Sequence, residues 1–511
     1  MLLFASDLAG ASTVSSFLAE LLVISAVALG CKYLRLPYTI ALVAAGLLLG
    51  LARPVFELKV QLTPELLFVV LLPALLFEAA IHLSLDRVRK NLRAILLLAV
   101  PGLLITTAFV GFALHWLLGI SLGASLIFGS LISATDPIAV LALFKELKAP
   151  KDLAVIVEGE SLLNDGAAVV VFNLLLAASA GREFHLLKGV LDFSLEAGGG
   201  LLVGAALAWL VWKVHEGIDD PLIEMTLSTI LAYGSYLVAQ ELHVSGVMAV
   251  IAAGLLYGNF AMGQSMSANT RLTLGSSWDY LGFLCNSLVF LLIGTQVNLW
   301  HLASRAGLVV IAFLVVLLGR LLAVLLLSPW TRLKLAWNAV VIWAGLRGSI
   351  AMALAMALQI PEREDILLLT FGCVLLSVFA QGLSVKRLLN FLGMGERDPD
   401  VQRFESAMAE LMAQQKALAV LRTQHSQHRL GAQLFQELLQ PLQERIGELQ
   451  RRLDELSSLS CVRELQSRQV LEAMRTARRW GLREALVRQH LDERDYLELR
   501  ERLACVESPE C

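Results

Sequence analysis

Charged residues are scarce in this sequence, and their scarcity limits what kind of protein it can be. Only 17% of the 511 residues are charged and 57% are hydrophobic, whereas soluble chains average about 25% and 45–50%. The formal net charge of −3 and the lack of basic segments interleaved with aromatic residues argue against a nucleic-acid partner. The apolar excess requires contact with lipid, so the sequence predicts a membrane protein.

Cysteine is also sparse, and no cysteines are paired in the sequence. The six cysteines occur singly, without a Cys-x-x-Cys motif and without histidines at metal-ligand spacing. This pattern predicts neither a disulfide framework nor a zinc site, and we expect no bound cofactor. The N-terminus lacks a basic stretch before its first apolar run, so we expect a retained helix there and not a cleaved signal.

The charges that are present concentrate towards the C-terminus. Of the 41 Lys and Arg and the 44 Asp and Glu residues, 18 and 20 lie after Gly395. The composition therefore predicts a transmembrane domain at 13–392, between a short N-terminal segment at 1–12 and a polar, helical tail at 393–511.

Thirteen segments are apolar enough to cross a membrane, which needs about 20 residues per helix. They lie near residues 13–31, 38–52, 62–83, 94–117, 122–144, 153–178, 187–212, 221–240, 244–260, 275–298, 306–328, 335–359 and 366–388. The predicted fold class is an all-α polytopic membrane protein with about thirteen transmembrane helices.

The loops between these segments indicate the orientation of the chain. An odd number of spans places the termini on opposite sides of the membrane, and cytoplasmic loops are enriched in Lys and Arg. With the C-terminus inside, the cytoplasmic loops hold thirteen Lys and Arg residues and the opposite loops hold six. We therefore predict an extracytoplasmic N-terminus and a cytoplasmic tail.

Several ionisable residues fall within the predicted spans, where each costs roughly 3 kcal/mol or more unless it is paired or hydrated. They are Glu78, Asp136, Glu158, Glu160, Asp165, Arg320 and Arg347. Glu158 lies near a span end and can reach water. Asp136, Asp165 and Arg320 lie deeper, so they need a structural or functional reason.

The sixth span contains the densest group of polar residues. Because side chains four residues apart share one face of a helix, Ser161 stacks on Asp165, and Glu160 stacks on Asn164. The first pair offers a hydroxyl and a carboxylate, which are hard oxygen ligands suited to a small cation such as sodium. The second pair contains a carboxylate that must be neutralised by an arginine or by a proton.

Two spans carry helix-breaking residues. Pro137, after Asp136, removes a backbone donor and clashes with the preceding turn, and two glycines, Gly345 and Gly348, flank Arg347. These breaks fall in the fifth and twelfth spans, as expected if spans one to six and eight to thirteen are inverted repeats whose broken helices cross at a transport site. Asp136 and Arg347 can offset the partial charges of the exposed helix ends.

Taken together, these segments resemble the monovalent cation/proton antiporter family, which includes the bacterial and animal electroneutral sodium/proton exchangers. The matching segments are LPALLFEAA (72–80), ATDP (134–137), GESLLND (159–165), SGVMAV (245–250), GRLL (319–322) and GLRG (345–348). They occur in the family's order over most of residues 60–390. The resemblance implies a homodimer in the bacterial inner membrane, in contact with lipid, with a core bundle moving against a dimerisation bundle.

The resemblance also implies a role for each residue of the ion site. Asp165 would bind cation and proton in turn, with Ser161 and Thr135 as further ligands of the transported cation and Glu78 near the site. Asn164 would replace a second aspartate found in electrogenic relatives.

A second group of residues would hold fixed charges in place. Glu160 would pair with Arg320, with Arg347 near the helix break, although the sequence also allows a pair between Glu160 and Arg347. Asp136 would compensate charge at the break.

The expected activity is exchange of a monovalent cation for a proton, and not an enzymatic reaction. Sodium is the expected cation, and lithium and potassium are the alternatives, because all three bind oxygen ligands. Asp136 and Asp165 could instead form an intramembrane protease dyad, but the sequence has no Gly-x-Gly-Asp motif. A cation channel is a further alternative, but the sequence has no recognisable selectivity-filter segment. A membrane sensor that has lost transport is another, but such a protein would not need to retain Asp136, Glu160 and Asp165.

The tail contains an amphipathic helical pattern. Its apolar residues step by four and three, which predicts a helix that packs on a neighbouring element. They are Leu442, Ile446, Leu449, Leu453 and Leu456. A solvated helical bundle and a regulatory element both fit this pattern, and no partner of the tail is identified.

Overall fold

The described chain is helical almost throughout, because a helix satisfies its own backbone polar groups within lipid. The computed structural model describes residues 11–34, 38–51, 63–147, 149–179, 186–215, 220–266, 268–297, 299–394, 399–427 and 429–463, with isolated positions beyond 463. Internal contacts group the chain into two units, Met1–Gly395 and Glu396–Cys511.

The helices of the first unit are numbered in chain order. Among the described residues they are α1 (Ala11–Leu34), α2 (Tyr38–Leu51), α3 (Leu66–His82), α4 (Leu85–Leu118), α5 (Leu122–Ser133), α6 (Ile138–Leu147), α7 (Lys151–Ser179), α8 (Leu186–His215), α9 (Pro221–Glu241), α10 (Gly246–Leu256 and Tyr257–Ser265), α11 (Ala268–Gln296), α12 (Leu299–Ser304), α13 (Ala306–Thr331), α14 (Leu335–Trp343), α15 (Ser349–Ala357) and α16 (Arg363–Phe391).

The hydropathy of these helices supports a membrane location. Within the described residues, eight helical segments are long and apolar enough to cross a membrane, with α5 and α6 counted as one, and α1, α2, α3 and α10 are shorter apolar helices. The prediction of an all-α polytopic membrane protein is therefore confirmed. Each of the thirteen predicted spans overlaps a helix or a broken pair, and the number that cross the membrane stays a prediction.

The largest difference from the predicted spans is in α4, which begins at Leu85 and not near residue 94. Its first turns are amphipathic, with Val88 buried and Arg89 and Lys90 exposed. A hydropathy average over many residues detects only the apolar second half of such a helix, so the basic first half was assigned to a loop.

Among the described residues, four helices contain a stretch of wider, π-type turns, which often occur at functional sites. These stretches are Leu66–Leu71, Leu98–Gly102, Tyr257–Ser265 and Ser377–Gln381. The second contains Pro101, which has no backbone N–H to donate. The last lies against the break between α14 and α15 and contributes side chains to it.

The second unit contains a helical hairpin formed by α17 (Pro399–Ser426) and α18 (Ala432–Ser457). The predicted amphipathic helix lies within α18, and its residues Leu449 and Leu453 pack with Phe404 and Leu411 of α17 in a small apolar core. The tail helix therefore packs on another helix of the same chain.

Candidate functional site

Both predicted helix breaks are confirmed. The helix α5 ends at Ser133, and α6 begins only at Ile138, with Ala134 in an extended conformation. The helix α14 ends at Trp343, and α15 begins at Ser349 after an extended Gly348. Each break leaves backbone N–H and C=O groups without partners inside its own helix.

The two breaks contact each other directly. The backbone N–H of Asp136 donates to the carbonyl of Leu346 at 2.8 Å. A Cβ atom added at Gly348 would lie 2.4 Å from the Cβ of Asp136. Only glycine allows this approach, so the breaks cross with almost no space between them.

Charged side chains contact the two helix ends that the first break exposes. The Arg347 guanidinium donates to the carbonyls of Ser133 and Ala134 at 3.0 and 3.3 Å, at the C-terminal end of α5. The Asp136 carboxylate accepts from the N–H of Ile138 at 3.0 Å, at the start of α6. Each charge has the sign that offsets the partial charge of the helix end it contacts.

Two polar residues of α16 form hydrogen bonds with the backbone of the second break. The sequence did not identify them. The Ser377 hydroxyl accepts from the N–H of Arg347 at 2.8 Å. The Gln381 amide donates to the carbonyl of Trp343 at 3.2 Å. Both belong to the π-type stretch of α16, whose position against the break depends on the tertiary fold.

Glu160 of α7 is paired with Arg320 of α13. The guanidinium donates from Nη1 to Oε1 at 3.0 Å and from Nη2 to Oε2 at 2.9 Å, a bidentate arrangement that is among the strongest hydrogen-bonded pairs. Glu160 is 2% exposed and Arg320 is 4% exposed. Of the two arginines that the sequence allowed, the structure pairs Arg320 with Glu160 and directs Arg347 to the break.

Asn164 connects this ion pair to the first break. Its amide nitrogen lies 3.0 Å from Glu160 Oε1, 3.1 Å from Thr135 Oγ1 and 3.2 Å from the carbonyl of Ser133. All three atoms can accept, so the amide hydrogens hold α7 against the end of α5.

The adjacent face of α7 is open to a cavity. Asp165 and Ser161 line a cavity of about 280 Å³ together with Thr135, Asp136 and Glu78. The Ser161 hydroxyl donates to the carbonyl of Thr135, which leaves the hydroxyl lone pairs available. The Asp165 carboxylate accepts no hydrogen bond from the residues that the structure describes.

Glu78 reaches this cavity from α3. Its side chain is 28% exposed, and its Oε1 lies 3.5 Å from Nδ1 of His82, one turn later. A second cavity of about 730 Å³ shares Glu78 with the first, and the ion pair of Glu146 with Lys386, at 2.7 Å, lies along it. Together, the two cavities connect the surroundings of Asp165 with this ion pair through their shared residue Glu78.

Sequence reasoning missed two charged residues of the first cavity. Glu158 and Lys145 both line it, although Glu158 was expected at a water-exposed helix end. The available signal was helical spacing, because Glu158 precedes Asp165 by seven residues, which is about two turns.

Two buried glutamates lie elsewhere in the helices and were also missed. Glu20 of α1 is 1% exposed and Glu224 of α9 is fully buried. Neither lines the cavity that contains Asp165. Burial of a charged residue alone therefore does not identify the site.

The fold and the site together define the class of protein. Two broken helices that cross inside a helical membrane protein, beside a carboxylate without a partner among the described residues, are typical of a secondary transporter. A model of the family described as sodium/hydrogen exchanger, transmembrane, matches residues 19–391. The chain belongs to this family, and it is a transporter and not an enzyme.

Individual relatives agree with this assignment. The chain is 36% identical to the Na⁺/H⁺ antiporter ApNhaP of Aphanothece halophytica, over 80% of each chain. It is 38% identical to the Na⁺/H⁺ antiporter NhaG of Bacillus atrophaeus, over 76% of each chain. Its fold is similar to that of the sodium proton antiporter MjNhaP1 of Methanocaldococcus jannaschii, with a TM-score of 0.64, 22% identity and coverage of 75% of this chain and 99% of the other.

Proposed function

We propose that the protein exchanges a monovalent cation for a proton across the membrane, with Asp165 as the group that carries both. The observation that supports this most directly is the unpartnered Asp165 carboxylate in a cavity beside the crossing of the two breaks. A carboxylate held in a fixed ion pair could not exchange ligands, whereas a free one can bind a proton or a cation in turn.

The ligands that we propose for the cation are oxygen atoms around Asp165. The Ser161 hydroxyl and the carbonyl or hydroxyl of Thr135 would complete its coordination, and Glu78 would act from the opposite wall. Asn164 contributes to the site by holding α7 and by adding no second charge. Glu160, Arg320, Arg347 and Asp136 would remain fixed during transport.

The exchange follows from competition for one site. A bound cation favours the ionised carboxylate, whereas a proton removes its charge, so the two ligands exclude each other. In an alternating-access cycle either ligand permits the core bundle to move, and the bare carboxylate opposes movement because a charge in the membrane is costly. With one titrating carboxylate, we expect one proton per cation and hence electroneutral exchange.

The proposed arrangement in the cell follows the loop charges and the family. We infer thirteen spans in two inverted repeats, a homodimer, an extracytoplasmic segment at 1–12, a transmembrane domain at 13–392 and a cytoplasmic tail at 393–511. The membrane would be the bacterial inner membrane. Sodium is the first candidate cation because the relatives are named Na⁺/H⁺ antiporters, and lithium and potassium are the alternatives.

The experiment uses purified protein in liposomes that are acidic inside and contain a pH-sensitive dye. External sodium should make the lumen alkaline, whereas choline should not, and lithium and potassium rank the selectivity. An imposed membrane potential should leave the sodium-dependent rate almost unchanged.

Other outcomes separate the rival functions. Voltage-driven cation flux without proton movement would indicate a channel. A clear dependence of coupled exchange on voltage would refute the one-to-one stoichiometry. Absence of any cation-dependent proton movement, together with cleavage of a membrane substrate, would favour a protease.

A further inference from the structure

The cavity around Asp165 has an unequal distribution of charge. Four carboxylates line it, those of Glu78, Asp136, Glu158 and Asp165, and Lys145 is the one basic residue among the described residues of its wall. A cation that enters therefore meets a negative lining and a single positive side chain.

Lys145 belongs to the face of α6 that borders the cavity. Ile138, Leu141, Ala142 and Lys145 all line it, with the spacing of three and four residues that places side chains on one helix face. Lys145 is exposed, and no described carboxylate lies within ion-pair distance of it. The next residue, Glu146, is held by Lys386 at 2.7 Å.

Glu158 lies on the matching face of α7. It lines the cavity with Ser161, Leu162 and Asp165. Glu158 and Asp165 are seven positions apart, which corresponds to about 10 Å of helix. Its carboxylate is half-buried and accepts no hydrogen bond from the part of the chain that the structure describes. Lys145 and Glu158 thus share the cavity as free, opposite charges.

We propose that Lys145 acts as a tethered cation that competes with the transported cation, and that Glu158 offsets it, so that these two residues set the apparent cation affinity. The inference rests on the proposed exchange. The lysine ammonium is a compact positive charge on a flexible stem, so it can occupy the negative potential that an incoming cation seeks.

A structural role for Lys145 makes a different prediction. The residue lies in the last turn of α6, where a positive charge also stabilises the helix end. That role would lower the stability of a variant without changing its affinity for the cation. Affinity and stability must therefore be measured on the same protein samples.

The experiment compares single and double variants in proteoliposomes at one pH. Lys145→Gln should lower the KM for sodium by about threefold or more and leave kcat unchanged, because a like charge is removed. Glu158→Gln should raise the KM by a similar factor. The double variant should return to within about twofold of the wild-type KM, since the two charge changes cancel.

Matched variants define what would overturn the proposal. Lys145→Arg keeps the charge and should keep the wild-type KM. The controls come from a second lysine and acid, Lys90 and Asp152, which form an ion pair at 2.6 Å. Asp152 also lies on α7, but neither residue lines the cavity. Lys90→Gln and Asp152→Asn should therefore leave the KM unchanged. An unchanged KM in Lys145→Gln, or a double variant that resembles either single one, would refute the tethered-cation role. A wild-type protein without sodium-dependent proton movement would refute the proposed exchange itself.

Discussion

Two adjacent faces of α7 each carry a carboxylate, and the surroundings of the two carboxylates are opposite. On one face, Glu160 is held by two bonds from Arg320 and one from Asn164. On the other face, Asp165 lies five residues later, lines a cavity and accepts no hydrogen bond from the described residues. The first carboxylate is fixed and the second is free.

Under the proposed mechanism, this difference separates a carboxylate that holds two helices together from a carboxylate that binds the transported ions. A buried, bidentate ion pair cannot release a partner without a large cost, so Glu160 is suited to holding α7 against α13. An unpaired carboxylate beside a cavity can gain and lose a proton or a cation. The separation predicts that variants on the fixed face lose stability, whereas variants on the open face lose transport.

Removal of Arg320 should have the largest effect on stability. Arg320→Ala leaves a buried Glu160 without its partner, which costs about 3–5 kcal/mol, and the melting temperature of the purified protein should fall by many degrees. The double variant Glu160→Gln/Arg320→Gln removes both charges and should be more stable than Arg320→Ala. A wild-type melting temperature for Arg320→Ala would show that the fixed face does not depend on this pair.

Substitution of Gly348 should be the next most damaging. In Gly348→Ala the new methyl group would lie 2.4 Å from Cβ of Asp136, and such overpacking costs about 1–3 kcal/mol. Gly234→Ala is the matched control, because a Cβ there meets no atom within 4 Å. Equal melting temperatures of the two variants would contradict the close crossing of the breaks.

Loss of the Asn164 amide should have a smaller effect. Asn164→Ala removes the contacts with Glu160, Thr135 and Ser133, at a cost of about 1–2 kcal/mol. The cost is limited because Glu160 and the Ser133 carbonyl each keep a hydrogen bond from an arginine. Asn91→Ala, which removes a single local bond to the carbonyl of Arg87, should change the melting temperature less. The reverse order would argue against Asn164 as the link between the ion pair and the break.

The smallest effect on stability is expected for a solvent-exposed ion pair between an arginine and glutamates. Arg445 of the tail contacts Glu410 and Glu448, each at 2.7 Å, and hydrogen bonds to these carboxylates raise the pKa of Arg445, so that it stays charged. Exposed pairs add little to stability, so Arg445→Ala should not change the melting temperature measurably. A loss comparable with that of Arg320→Ala would show that burial is not the deciding factor.

The features of the fold and of the site that depend on local sequence were predictable. Long apolar segments locate the helices, Pro137 locates one break, and Gly345 and Gly348 locate the other. Helical spacing alone places Ser161 beside Asp165 and Glu160 beside Asn164.

The parts that depend on tertiary contact were not predictable. The sequence favoured Arg320 as the partner of Glu160 only through the family resemblance and still allowed Arg347, because only the packing of α13 on α7 decides between them. Glu158 and Lys145 lie near helix ends, where charges are ordinary, and their shared cavity exists only after α6 and α7 pack. Ser377 and Gln381 look like ordinary polar residues of an apolar helix in the sequence. Their contacts with the second break form only when the helices pack.

The role of Asp165 as the ion carrier can be tested directly with Asp165→Asn in proteoliposomes. The substitution removes the free carboxylate and keeps the size of the side chain. We expect a protein with a near-wild-type melting temperature and no sodium-dependent proton movement, whereas Asp152→Asn on the same helix should transport normally. Sodium/proton exchange at a wild-type rate in Asp165→Asn would show that Asp165 does not carry the ions.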